Sequence, residues 1–170
     1  IASIELLGNG GRDIALNSVS LADGQTLRAI DPTGEASLSL ARAGQTGTAN
    51  VELGVGTRNI AVSGETSGEE TIDLALIENG SYTGNWSGFG GSDALTLAAD
   101  ADITGISGTG GELGGIITVD IGAETLTATA AQVNAITNFS ANGGTVNATG
   151  LADNSTVNLA NVTSGAGTLT

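Results

Sequence analysis

The sequence lacks cysteine, histidine, methionine and lysine altogether, and its 170 residues include only four aromatic side chains. Without cysteine the chain has no disulfide scaffold, no zinc–thiolate site and no thiol nucleophile. Its only basic residues are four arginines, against eighteen acidic residues, so the net charge is −14. Because binding to phosphates requires clustered lysine or arginine, we expect no nucleic-acid partner and no attachment to an anionic membrane surface.

Long apolar runs are also missing from the sequence. No segment approaches the roughly 20 apolar residues that a membrane-spanning helix needs, so we expect no membrane span. The chain begins at Ile1 rather than at methionine, and we expect a processed product or a segment of a larger chain. Within it, residues 1–170 are expected to form a single domain.

Few residue types remain for catalysis. Without histidine, cysteine or lysine, only carboxylate mechanisms such as those of glycoside hydrolases are available. Enzymes of that kind also use aromatic or basic residues to hold their substrates, and this chain has few of either. The sequence contains no phosphate-binding loop and no nucleophile elbow. We therefore expect that the protein is not an enzyme.

Short alternating segments, by contrast, are abundant. About a dozen stretches place Ile, Leu, Val or Ala at every second position, for example IASIELL at 1–7, TIDLALI at 71–77 and IITVDI at 116–121. This period places apolar side chains on one face of a β-strand. The intervening Gly, Asn, Asp and Ser residues favour turns, so the pattern predicts an all-β fold.

One segment has a different period. The stretch AAQVNAI at 130–136 spaces Ala130, Val133 and Ile136 as on one face of a helix. Because so short a stretch makes at most two helical turns, we predict a short helical insert that lies on a sheet.

Several segments resemble one another without forming a strict repeat. ITGISGTGG at 103–111 aligns without gaps to ITNFSANGG at 136–144, and LNSVSLADGQTL at 16–27 resembles VNATGLADNSTV at 146–157. Unequal repeats of strand-like segments fit a solenoid whose turns vary in length. We predict a parallel β-solenoid with irregular turns. The alternative is a β-sandwich, which also offers alternating strands.

The strand segments resemble those of a known group of proteins. IASIELLGNGGRDIAL, TLRAIDPTGEASLSL, NIAVSG and ETIDLALI together resemble segments of bacterial S-layer proteins and of RTX-type (repeats-in-toxin) secreted exoproteins. The resemblance implies an extracellular, secreted, β-helical structural protein of the bacterial cell surface. Such proteins are often calcium-dependent and often self-assembling.

Two glycine- and aspartate-containing nonapeptides carry the resemblance to calcium-binding repeats. They are GNGGRDIAL at 8–16 and GFGGSDALT at 88–96, and they make Asp13 and Asp93 candidate calcium ligands. The family's sites use consecutive nonapeptides, whereas these two copies are far apart in the chain and the first has Arg12 beside its aspartate. The alternative is that each aspartate hydrogen-bonds the backbone of its own turn.

Asp100 and Asp102 form a second candidate metal site. At positions i and i+2 of a strand the two carboxylates would share a face and could contribute oxygen ligands to a cation such as calcium. The alternative is that both are solvated surface charges.

Three of the four aromatic residues, Tyr82, Trp86 and Phe89, lie in SYTGNWSGFGG at 81–91. The glycine and serine content of this segment predicts a loop. Exposed aromatic side chains there could bind a cell-surface glycan or a neighbouring subunit. Alternatively, the loop folds over the solenoid and seals its apolar interior.

Three functional hypotheses follow from the sequence, and the last of them, a carboxylate enzyme, predicts a cleft around Asp100 and Asp102. The first is an extracellular structural module that self-associates into a surface layer or filament, assisted by divalent cations that bridge its acidic surface. The second is an adhesin module that binds glycan or protein through the aromatic loop.

Overall fold

A computed structural model describes residues 3–6, 14–29, 36–43, 45, 47–63, 70–90, 92–109, 112–151, 162–164 and 168–169. This part of the chain contains sixteen β-strands in two eight-stranded sheets. The strands of the first sheet are β1 (Ser3–Leu6), β3 (Thr26–Ala29), β5 (Gly47–Leu53), β7 (Glu70–Leu76), β9 (Ala94–Leu97), β11 (Thr118–Asp120), β13 (Asn138–Ser140) and β15 (Val162–Ser164). Those of the second sheet are β2 (Ile14–Ser20), β4 (Ala36–Ala41), β6 (Thr57–Ser63), β8 (Gly80–Ser87), β10 (Ala101–Thr109), β12 (Thr125–Thr129), β14 (Thr145–Thr149) and β16 (Thr168–Leu169).

The chain alternates between the two sheets, so each turn of the molecule contributes one strand to each. Every strand pairing in the described residues is parallel and joins a strand to the one two positions away along the chain. A parallel pair needs a crossover connection, and here the crossover is the strand of the opposite sheet. The fold is therefore a parallel β-solenoid, as predicted. The β-sandwich alternative is wrong, because such sandwiches are built from antiparallel strands.

On the inward face of the first sheet, aliphatic side chains stack from one turn to the next. Leu27, Val51, Leu74, Leu95 and Val119 occupy paired positions on successive strands. Their spacing corresponds to turns of roughly 20–25 residues, a length usual for solenoid repeats, and it varies from one turn to the next. All five side chains are fully buried, and burial of a side chain of this size stabilises the fold by about 1.5–3 kcal/mol.

The second sheet supplies a matching interior row. Leu16, Leu38, Ile60 and Trp86 are paired in sequence from β2 to β8. Inward residues of both sheets belong to one continuous apolar cluster. Aliphatic side chains, most often leucine, fill most of this thin layer, so the chain needs few aromatic residues.

The helix, α1, lies at a corner between β12 and β13. It spans Ala130–Ala135, within the predicted insert, and Val133 and Ile136 are buried on the predicted apolar face. Thr129 caps its first turn: its side chain accepts a hydrogen bond from the N–H of Gln132, whose own side chain accepts one from the N–H of Thr129. This reciprocal capping box satisfies two backbone donors that a helix start otherwise leaves unpaired.

Candidate functional site

Asp93 of the second nonapeptide is fully buried at the corner between β8 and β9. Its Oδ1 accepts a hydrogen bond from the N–H of Ile72 on the preceding turn (2.6 Å), and its Oδ2 accepts one from the N–H of Gly90 in its own turn (2.7 Å). Hydrogen bonds from backbone N–H groups to a carboxylate are stronger than those between neutral groups. Both oxygens of Asp93 thus contact the backbone, the role given above as the alternative to calcium binding.

The candidate calcium ligand of the first nonapeptide, Asp13, lies outside the described residues. In the second copy, the glycine that opens the motif has a geometric function. Gly88 has a φ of +83°, and a Cβ there would overlap the carbonyl oxygen of Val62 on the preceding turn. Only glycine combines this conformation with such a close approach, so the motif brings two turns into contact.

The structure brings Asp100 and Asp102 together at one shallow cleft. The cleft has a volume of about 300 Å³ and is lined by Gly80, Ser81, Asp100, Ala101, Asp102, Thr125 and Thr127. Asp100 is exposed, and its Oδ1 accepts a hydrogen bond from the N–H of Thr125 on the next turn (2.7 Å). The cleft therefore offers two carboxylates and three hydroxyl groups to solvent.

Asp102 is held by three donors. Its Oδ1 accepts hydrogen bonds from the hydroxyl (2.7 Å) and the N–H (2.9 Å) of Thr104, and its Oδ2 accepts one from the Ser81 hydroxyl (3.3 Å). Partial burial raises the pKa of Asp102, but these hydrogen bonds together lower it by more, so its pKa lies below the usual value. The described residues contain no group of three or more His, Cys, Asp or Glu side chains that could hold a metal ion.

A wider pattern of carboxylates at the corners was not anticipated from the sequence. Asp23 accepts a hydrogen bond from the N–H of Thr48 (2.9 Å), and Glu78 accepts one from the N–H of Val55 (3.0 Å). Like those of Asp93 and Asp100, these bonds join neighbouring turns. We call Asp23, Glu78, Asp93 and Asp100 the corner carboxylates. Their sequence signal is an acidic residue that closely follows or precedes an alternating segment.

The side chains of Tyr82, Trp86 and Phe89 lie in the interior. The prediction of a loop at residues 81–91 is wrong for most of that segment. Residues 80–87 form strand β8, and the side chains of Tyr82 and Trp86 are fully buried while Phe89 is 7% exposed. The rings of Trp86 and Phe89 pack against each other with their centroids 6.4 Å apart. The three side chains therefore pack in the space between the sheets.

The outward surfaces of the two sheets differ in charge. On the first sheet, the described outward side chains include Glu5, Arg28, Glu52, Asp73 and Asp120. Arg28 pairs with both Glu5 (3.3 Å) and Glu52 across three neighbouring strands. On the second sheet, the described outward side chains of β2 to β14 are Ser, Thr, Asn and Ala, with Asp102 as the one ionisable group. We call this second surface the neutral face.

A comparison with protein-family models, with curated protein sequences and with solved structures finds no significant match to this chain. The parallel β-solenoid is compatible with the fold that the resemblance to S-layer and RTX-type proteins implies. The comparisons themselves assign the chain to no family. No helix in the described part of the chain has the length and hydropathy that crossing a bilayer requires.

Proposed function

We propose that the protein is a structural module that self-associates into a layer or filament at the bacterial cell surface. The observation that supports this proposal best is that every described strand pairs in parallel with a strand of a neighbouring turn, and the strands between the edges of each sheet pair on both sides. A turn built in this way presents a row of backbone donors and acceptors in the register that another turn requires. Such a turn can come from the same chain or from a second copy.

The outermost described strands of the two sheets are the places where a second copy would add. Among the described residues, β1 and β2 each pair with one strand, as do β15 and β16. A head-to-tail contact between copies does not close on itself, and repetition of such a contact produces a filament. The stacked interior rows would continue across the junction, with Ile4 and Leu6 packing against the next copy.

Divalent cations would assist the assembly. The chain carries a net charge of −14, so copies repel one another at long range, and this repulsion is screened by ions. Asp13, Asp93, Asp100 and Asp102 remain the candidate calcium ligands, and calcium needs six to eight oxygen ligands. Of these four, Asp100 and Asp102 share an open cleft, where water or a neighbouring copy could complete the coordination.

The test combines particle size with hydrogen exchange. Sedimentation velocity and electron microscopy, over a range of protein concentrations and with either calcium or a chelator, should show assemblies that grow with concentration and with calcium. Hydrogen exchange should slow on assembly in residues 3–6 and 14–20, while the interior strands β7 and β9 stay protected at every concentration and serve as the internal control.

A strict monomer under all of these conditions would contradict the proposal. Assembly without added protection in the terminal strands would contradict the head-to-tail contact and leave self-association itself intact. The adhesin alternative gains no support from the aromatic residues, because all three are buried.

A further inference from the structure

The neutral face is unusual for a chain of this charge. The protein has eighteen acidic residues and four basic ones, yet the described outward side chains of β2 to β14 include a single carboxylate, that of Asp102, with Asp100 beside it in the same cleft at the edge of the face. The opposite surface carries four carboxylates and one arginine among its described residues. Two copies of an acidic protein repel each other least where both surfaces lack charge, and cores of protein interfaces are depleted of charged residues.

Polar side chains form a regular row on the neutral face. Ser37, Asn59 and Asn85 lie side by side on β4, β6 and β8. The Asn59 amide donates to the Ser37 hydroxyl (3.2 Å), and its carbonyl oxygen accepts from the N–H of Asn85 (3.1 Å). These hydrogen bonds align the side chains into a row that runs along the solenoid axis.

A groove runs beside this asparagine row. It has a volume of about 350 Å³, and its lining includes Ser37, Asn59 and Asn85 on one side. Its other side is the row of small side chains Ser39, Ala61 and Ser87, which are paired from β4 to β8. A raised row beside a groove is self-complementary under a two-fold rotation, because each row then faces the groove of the other copy.

The area of the face suffices for a weak dimer. Seven strands at the usual spacing of about 4.8 Å, each with roughly six residues of about 3.3 Å, give a surface of about 600 Å² per copy. Two copies would thus bury about 1,200 Å² in total, which exceeds the roughly 1,000 Å² expected of a specific interface and lies at the low end of that class.

We propose that the occupant of the neutral face is the neutral face of a second copy, in a two-fold, face-to-face pair. This inference rests on the proposed function and adds a lateral contact to the head-to-tail one. A head-to-tail contact alone produces single filaments, whereas a lateral two-fold contact joins filaments in pairs and, with the head-to-tail contact, produces ribbons. The charged outer surface of the first sheet would then face solvent on both sides of the ribbon.

The variant Ala61→Glu tests the pairing directly. Ala61 is exposed beside the groove, so the new carboxylate has room in the single copy but is buried against the asparagine row of the other copy in the pair. Thr96→Glu is the matched control, because Thr96 is exposed on β9 of the first sheet and the variant gains the same charge. Sedimentation equilibrium should give a dimer dissociation constant raised about tenfold or more for Ala61→Glu, and one close to wild type for Thr96→Glu.

A crosslinking experiment provides the second measurement. The natural chain has no cysteine, so Ala61→Cys and, as its control, Thr96→Cys each place a single thiol. A short bis-maleimide should join two copies of Ala61→Cys in solution and join Thr96→Cys far less. Circular dichroism and the fluorescence of Trp86, the only tryptophan, verify that each variant is folded.

The possible results separate the two proposals. If Ala61→Glu and Thr96→Glu dissociate equally, or if the two thiols crosslink equally, the neutral face is not the interface, while head-to-tail assembly can persist and is recognised by protection of β1 and β2. If the wild type is monomeric throughout, both proposals fail. If the wild type is monomeric but binds a neutral polysaccharide, and Ala61→Glu abolishes this binding, the face is a glycan site and the pairing is overturned.

Discussion

The hydroxyl group of Tyr82 links two neighbouring turns at the level of single residues. It accepts a hydrogen bond from the N–H of Glu78 (3.1 Å) and can donate to the carbonyl oxygen of Glu78 (2.9 Å) or of Leu53 (3.1 Å). Burial raises the pKa of Tyr82, the charge of Glu78 raises it further, and the hydrogen bond from the Glu78 backbone offsets part of this increase. Folding therefore favours the neutral phenol.

This arrangement predicts a loss of stability in alkali. Because the pKa of Tyr82 is higher in the folded state than in the unfolded state, its contribution is present below about pH 10 and is lost as the pH rises through the folded pKa. The chain has no cysteine or lysine and a single tyrosine, so no other side chain titrates in this range. Denaturant unfolding followed by Trp86 fluorescence should show a free energy of unfolding that is constant from pH 8 to about pH 10 and then falls.

Tyr82→Phe is the control for that measurement. It should be less stable than wild type by about 1–3 kcal/mol at pH 8, because it leaves backbone groups of neighbouring turns without a partner. Its stability should not change further up to about pH 11. A wild-type curve that is equally flat would contradict the assignment of the alkaline transition to Tyr82.

The helix is the element whose sequence signal and structural role agree best. The spacing of Val133 and Ile136 predicted its apolar face, and both residues are buried. The role of Gln132 had no signal of its own: its Nε2 donates to the carbonyl oxygens of Ile103 (2.8 Å) and Ile106 (3.1 Å) on β10. These contacts depend on the path of a strand one full turn earlier in the chain, which local periodicity does not encode.

Gln132→Glu should destabilise the protein by about 2 kcal/mol or more at pH 7, since it places a buried carboxylate against two carbonyl oxygens and removes the donor that they share. The loss should be smaller at pH 4, where a protonated glutamic acid can donate one hydrogen bond. Thermal or urea unfolding at the two pH values measures the effect.

Ala131→Glu provides the comparison, since residue 131 is exposed on the same helix turn. It adds the same negative charge near the positive end of the helix dipole, and its stability should stay within about 0.5 kcal/mol of wild type. Equal destabilisation of the two variants would show that charge, rather than the contacts of Gln132, causes the effect.

Strand β8 shows where prediction from local composition fails. Glycine and serine in SYTGNWSGFGG favoured a loop, but the spacing between Tyr82 and Trp86 is even, which places both on the inward face of a strand. Gly84 and Gly88 have φ values of +125° and +83°, so these glycines shape the strand and the corner that follows it. The prediction gave the turn-forming residues more weight than the even spacing of Tyr82 and Trp86, and it therefore missed the strand.

At the scale of the whole molecule, the solenoid followed from the sequence but its turn length did not. The segments 103–111 and 136–144 align with each other, yet the first lies mainly in β10 of the second sheet and the second contains β13 of the first sheet. Their offset is therefore not the structural repeat, which is roughly 20–25 residues for the turns that run from Leu27 to Val119. Corners of unequal length shift one turn relative to the next, which conceals the period.

A solenoid of this kind depends on contacts between nearest turns, so the position of a cavity along the axis should matter. Leu74→Ala removes contacts with both Val51 and Leu95 and should lower the free energy of unfolding by about 2–5 kcal/mol. Ile4→Ala, in a half-buried position that pairs with Leu27 alone among the described residues, should cost distinctly less. Urea unfolding monitored by circular dichroism compares the two, and equal losses would contradict nearest-neighbour stability.

The coiling of the chain has a mechanical consequence. One turn of about 23 residues advances the molecule by about 4.8 Å along its axis, but the same residues fully extended span about 75 Å. The turn is held to its neighbours by backbone hydrogen bonds and by the corner carboxylates. Pulled from one end along the axis, the molecule would release its turns one after another, and each released turn would lengthen about fifteenfold. A layer built from such modules, if the proposed function holds, would therefore extend under strain by releasing turns.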